Sequence, residues 1–198
     1  SLVDNIVEAV KTAQENLLPA RLEYSHGEAN VGINRREKMP DGHMEIGRNP
    51  DGIRDNSIQV VSVFTDSPLP TGEGSGVRVA TIVNYACHGT VLGPDNLLIS
   101  ADWIGIMRQK VEDELGGLTL FLQGAAANIN PDMYWNDARA FEMVAEQGLG
   151  VANAVLAATN SGAEKMRDVP LRIERVAAWI PTETRVTTSH PPKNYGKP

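Results

Sequence analysis

The chain is predicted to be α/β, a mixed β-sheet with helices packed on it, and three observations carry the prediction. Two runs rich in β-branched residues, IQVVSVFT (58–65) and VRVATIVNYAC (77–87), flank a Pro/Gly/Ser-rich turn and predict a hairpin. LTLFLQ (118–123) is short and almost wholly apolar, the pattern of a strand buried on both faces. From residue 77 onward the order strand, helix, strand, helix follows, as layered α/β chains require.

Taken in order, residues 2–18 place Leu2, Val3, Ile6, Val7, Val10 and Leu17 at helical spacing with Asp4, Glu8, Lys11 and Glu15 between them, and Pro19 stops the helix. ARLEYSHGE (20–28) predicts a short strand. Residues 29–57 carry Gly, Asn, Asp and Pro throughout and predict a long loop, of the kind that serves as a binding loop or lid. GEGSG (72–76) precedes a strand and opens no helix, so it predicts a hairpin turn, neither a phosphate loop nor a nucleophile elbow. Ser100 is the expected N-cap of a helix with Asp102 in its first turn and Trp103, Met107 and Val111 on one face; Gly116 and Gly117 end it. An Ala-rich helix spans 137–160 with Phe141, Val144, Leu149, Val155 and Leu156, and PLRIERVAAWIP (170–181) predicts a last strand before an extended tail at 182–198. No internal repeat is visible.

Composition narrows the function classes. Over 198 residues, 18 Lys+Arg against 25 Asp+Glu leave a formal charge of −7 and a pI near 5.1. The densest basic cluster is Arg35, Arg36 and Lys38 with Glu37 inside it, which is no footprint for nucleic acid. With 41% hydrophobic and 22% charged residues the chain has the composition of a folded globular protein. Its longest apolar stretches, such as 118–122, fall far short of the roughly 20 residues a membrane-spanning helix needs. A lone cysteine, Cys87, excludes an internal disulfide framework and a thiolate zinc cage. The first residue is Ser, so the residue pattern leaves the compartment open.

Three segments carry side chains suited to chemistry. In NYACHGTVLGPDNLLISADW (84–103) a strand ends in His88 followed at once by Gly89, which allows a sharp turn and close approach of another group. His88 suits a metal ligand or general base, or a capping role on a loop carbonyl. In LTLFLQGAAANINPDMYW (118–135) a strand opens through small residues into Asn128, Asn130 and Asp132 at alternate positions, at the sheet end where ligands bind, or as an Asx-type turn. In ANVGINRREK (29–38) an arginine is available to clamp a polar group, or to stand solvated. Cys87 beside His88 suggests a thiol hydrolase, but adjacent strand residues point to opposite faces. Histidines 26, 43, 88 and 190 sit at no short metal-ligand spacing.

Taken together, NVGINRR (30–36), IVNYACHGTVLGPDNLLISADW (82–103) and FLQGAAANINP (121–131) resemble, in order and spacing, the amino-terminal catalytic domain of the neutral/alkaline non-lysosomal ceramidases. The resemblance covers roughly residues 15–180 and implies zinc-dependent hydrolysis of an N-acyl amide, ceramide in the characterised members. Carried over by motif, it makes His88 a zinc ligand and Arg35 an arginine that contacts substrate near the metal. Asn130 stands where the family carries a serine implicated in activity; it can orient a water or donate to an oxyanion, but not act as an alkoxide nucleophile. The family's upstream His-x-His segment has no counterpart here, and its Glu and Tyr ligands lie further downstream. The expectation is therefore a partial catalytic domain over residues 1–181 with a tail at 182–198, a segment inactive alone, its remaining zinc ligands outside this chain. Its expected partners are an N-acyl amide or sphingolipid substrate and the rest of its own domain, in an extracytoplasmic or secreted setting. The rival expectation is a noncatalytic binding or scaffolding domain that kept the fold and lost the reaction.

Overall fold

The computed structural model describes residues 1–65, 76–132, 139–166 and 174–176. The chain divides into two units, Ser1–Asp168 and Val169–Pro198. In the first, the elements run α1 (Leu2–Glu15), β1 (Ala20–Glu28), β2 (Gly32–Lys38), β3 (Met44–Asn49), β4 (Ser57–Thr65), β5 (Val77–Tyr85), α2 (Asp102–Leu115), β6 (Leu118–Gln123), β7 (Ile129–Pro131), α3 (Ala140–Asn160) and β8 (Glu164–Met166). The architecture is α/β with a mixed sheet, as the residue pattern predicts.

The principal sheet has strand order β6-β5-β4-β1-β8. β4 pairs antiparallel with both β5 and β1, and β8 antiparallel with β1, while β6 lies parallel to β5 after the α2 crossover. Alternation along β4 and β5 sends Ile58, Val60, Val83 and Tyr85 to one face. There they meet Trp103, Met107 and Val111 of α2 and Val151, Ala152 and Val155 of α3, all buried. The predicted apolar face of α2 is thus the core contact, although the helix begins at an Ala101 N-cap, with the Ser100 hydroxyl accepting from the Asp102 backbone N–H at 3.0 Å. On α3, Val144 and Val155 face inward while Phe141 and Leu149 point outward. Helix α1 forms as its spacing predicts, closed by a capping box between Ser1 and Asp4, with its apolar stripe exposed.

Two expectations are corrected, and a third falls largely outside the described residues. β6 is an edge strand: Thr119 is buried, but Leu118, Leu120 and Leu122 are 64%, 49% and 54% exposed, because the helices cover one face only. The long loop at 29–57 contains a hairpin, β2 with β3, closed by a turn in which Met39 N–H donates to the His43 carbonyl and Gly42 takes φ 91°. These strands are rich in polar and charged residues because most of their length is solvent-facing, so no alternation announces them; the Asp41-Gly42 pair was the available hairpin signal. Of the strand expected at 170–181, residues 174–176 are described and belong to no strand, and the rest lies outside the described residues, as does the 182–198 tail. The 58–65/77–87 hairpin is present as β4 and β5, with Gly76 at φ 80° donating to the Thr65 carbonyl; residues 66–75 of its turn lie outside the described residues. Among the described residues no helix is long and apolar enough to cross a membrane.

Gly116 and Gly117 end α2 as predicted, both at φ 72°. At Gly117 a Cβ would lie 2.8 Å from the carbonyl oxygens of Arg78 and Val79, because the chain must pass close to β5 to start β6 beside it. Gly117→Ala is expected to lower stability by more than about 2 kcal/mol, from left-handed strain plus a backbone clash. Urea unfolding checks this, and an unchanged midpoint would contradict it.

Candidate active site

The second, smaller sheet, of order β3-β2-β7, brings distant segments together. Tyr85 at the end of β5 anchors it: the phenol donates to the Ala29 carbonyl at 2.9 Å and accepts from the Gly32 N–H at 3.1 Å, and burial pushes its pKa up. Gly32 must be small, since a Cβ there would lie 2.6 Å from the Ile129 side chain. β2 and β7 then pair antiparallel, Ile33 opposite Asn130 and Asn34 opposite Ile129. The Arg35 N–H extends the pairing by donating to the Asn128 carbonyl at 2.8 Å.

His88 arrives from the other side. Its backbone N–H donates to the Ile129 carbonyl at 3.1 Å, and its own carbonyl accepts from the Trp103 indole N–H at 2.9 Å. The three residues singled out from sequence therefore converge around β7: His88 is bonded to Ile129, and Arg35 Nη1 donates to Asn130 Oδ1 at 3.4 Å. Asn130 is buried, and His88 Nε2 is a buried nitrogen with no hydrogen-bond partner among the described residues. Burial, and secondarily the positive Arg35, lower the His88 pKa, so the imidazole is neutral near pH 7.

The remaining candidates separate from this group. Asn128 Nδ2 donates to the Ile53 carbonyl at 3.1 Å, and Asp132 is ion-paired with Arg48 of β3. Those two side chains fasten the 50–54 turn and β3 to the rim. Cys87 is fully buried, its thiol pushed up to about 12 by burial first and by Asp102 second, and its Sγ–H reaches the His88 carbonyl and not the ring. A thiol that holds its proton so firmly is no nucleophile near neutral pH, which removes the thiol-hydrolase arrangement. His43, at the β2–β3 turn, is held between Glu45 and Asp41, which raise its pKa in that order of effect.

Two residues of the site were not foreseen in their role. Asp102 and Trp103 open α2, and both reach back to the loop that leaves His88. The spacing His88-Gly89 to Asp102-Trp103 held the signal, but only the fold reveals that the loop returns on itself. Between that loop and α2 lies a cavity of about 360 Å³ lined among others by Gly89, Thr90, Leu92, Leu98, Ser100 and Asp102.

A buried neutral imidazole whose Nε2 has no partner among the described residues suits one metal ligand. Among the described residues, however, no three side chains of His, Cys, Asp or Glu gather to hold a metal ion. The described residues thus fit a single ligand of a shared site, not a complete one.

No family model matches the chain. Over 118 residues, 59% of its length, it is 32% identical to the neutral ceramidase of Mycobacterium tuberculosis, of which it spans 17%. The crystal structure of neutral ceramidase from Pseudomonas aeruginosa superposes on 80% of the chain with a TM-score of 0.58 and 28% identity, covering 25% of that protein. A solved ceramidase complexed with C2 gives a TM-score of 0.59 at the same identity and coverage. In sequence and in fold, the chain is similar to one part of the neutral ceramidases.

Proposed function

We propose that this chain supplies His88, Arg35 and Asn130 to the site of a zinc-dependent amidohydrolase of ceramidase type, which cleaves an N-acyl amide such as that of a ceramide-like lipid. The observation that carries the reading is the convergence at β7, with His88 bonded to Ile129, Arg35 bonded to Asn130, and His88 Nε2 buried without a partner among the described residues. The likeness to neutral ceramidases over 80% of the chain supports it. His88 would be one zinc ligand, and the others would come from outside the described residues.

When bound, zinc supplies a Lewis acid that polarises an amide carbonyl and acidifies a coordinated water. The chain's own residues do the rest. His88, kept neutral by burial and by Arg35, presents a lone pair at Nε2. Arg35 offers a fixed positive charge to the carbonyl oxygen as negative charge develops there, a contribution worth most where water is excluded. Asn130, with its Oδ1 accepting from Arg35, offers its Nδ2 hydrogens to the same oxygen or to an attacking water. Asn130 has no ionisable hydroxyl, so an acyl-enzyme on this residue is not part of the reading.

The second reading is a noncatalytic binding domain, favoured by the lack of a complete ligand set among the described residues. Hydrolysis of short- and long-chain N-acyl sphingosines by the complete gene product separates the two. The amidohydrolase reading expects fatty-acid release that a chelator stops and added zinc restores. Binding of the same lipids without turnover, at full zinc loading, would favour the second.

A further inference from the structure

Asp102 is the one non-glycine among the described residues with a left-handed backbone, at φ 53°. Such a conformation persists only where surrounding contacts over-determine it. Here they do: Asp102 is buried, its Oδ2 accepts from the Leu92 N–H at 3.0 Å, its Oδ1 accepts from the Trp103 N–H at 2.8 Å, and its own N–H donates to Ser100 Oγ at 3.0 Å. Both carboxylate oxygens are thus engaged by backbone N–H groups.

The consequence falls on the loop that begins at His88. Trp103 fastens its first residue through the His88 carbonyl, and Asp102 fastens its fifth through the Leu92 N–H. Between them Gly89 lies flush on the first turn of α2, where a Cβ would come within 3.1 Å of Ile104 and 3.6 Å of Asp102. An imidazole ligand is ordinarily oriented by a group on its second nitrogen. At His88 the backbone on both sides is held instead, by Ile129 through the N–H and by α2 through the carbonyl and the loop.

We infer that Asp102 is a positioning residue that holds the His88 loop against the first turn of α2 and thereby fixes the His88 imidazole. The inference deepens the reading of His88 as a metal ligand and rests on it for its functional meaning, although the strap itself concerns this chain alone.

The test compares Asp102→Gly, Asp102→Asn and the parent in the 198-residue chain. Glycine accepts φ 53° without strain, so the fold is expected to keep its melting temperature to within a few degrees while losing the carboxylate's bonds to the Leu92 and Trp103 N–H groups. Asparagine tolerates the backbone and keeps one acceptor oxygen, so it is expected to retain part of the hold. At fixed pH, the His88 ring signals in nitrogen-correlated NMR should broaden or split in Asp102→Gly, and the Leu92 amide should exchange at least tenfold faster. Asp102→Asn should fall between. Unchanged His88 signals and Leu92 exchange in Asp102→Gly would overturn the inference, as would equal loosening in a Thr119→Val control far from the strap. Zinc titration of the complete gene product keeps the two readings apart. If His88→Ala leaves zinc binding intact while Asp102→Gly still loosens the ring, the strap stands and the ligand reading fails. If His88→Ala abolishes zinc while Asp102→Gly leaves affinity and ring signals unchanged, the strap fails.

Discussion

Replacing Trp103 with alanine is expected to cost about 3–5 kcal/mol of folding free energy, the range for removing a fully buried large aromatic residue. Trp103 has no exposed surface and stands edge-on to Tyr85 at 6.1 Å and to Phe121 at 5.3 Å between ring centroids, joining α2 to β5 and β6 at once. Its truncation opens a cavity where three elements meet, and it also strips the His88 carbonyl of its indole donor. Trp103→Phe separates the two effects. It keeps most of the apolar volume and loses the N–H, so it should cost about 1–2 kcal/mol, the penalty for a carbonyl left with only the weak Cys87 thiol donor plus a small packing loss. Urea unfolding of the 198-residue chain reads both. A loss under about 1 kcal/mol for Trp103→Ala would mean that Trp103 is not the central wedge described here.

Arg35→Ala is expected to lower kcat/KM for N-acyl amide hydrolysis by the complete gene product by roughly 10²–10³, the size of effect seen when one donor to a developing oxyanion is removed. Stability should change little, because the side chain is only part-buried and its bond to Asn130 Oδ1 is long, at 3.4 Å. Arg35→Lys should recover only part of the loss, since an ammonium lacks the planar fork that can hold Asn130 and a substrate oxygen together. Activity within threefold of the parent in Arg35→Ala would remove Arg35 from the chemistry. A matching loss in melting temperature would instead make it structural.

Much of the fold was legible because burial imposes periodicity. β4, β5 and the inward face of α2 read correctly from Ile58, Val60, Val83, Trp103, Met107 and Val111, each of which is buried. Where burial is absent the pattern misleads or falls silent. LTLFLQ reads as a two-faced strand since hydrophobicity alone does not say what covers its second face, and three of its leucines are exposed. The β2–β3 hairpin is written in charged residues around Asp41-Gly42, and β8 is three residues long, too short for any period to show. The site was legible in parts. His88, Arg35 and Asn130 were found by motif, but their meeting depends on the β2–β7 register, which aligns residues nearly a hundred positions apart. The strap from Asp102 stayed hidden because its signature is a backbone angle, and nothing in the residue type distinguishes it from an ordinary first-turn carboxylate.

Metal content decides whether His88 is a zinc ligand in an amide-hydrolysing site. The complete gene product and its His88→Ala variant, each dialysed and folded as judged by circular dichroism, would be measured for zinc by elemental analysis. Close to one zinc per chain is expected in the parent and a loss of at least tenfold in the variant. Equal zinc in both, or none in a parent that still hydrolyses N-acyl amides, would contradict it.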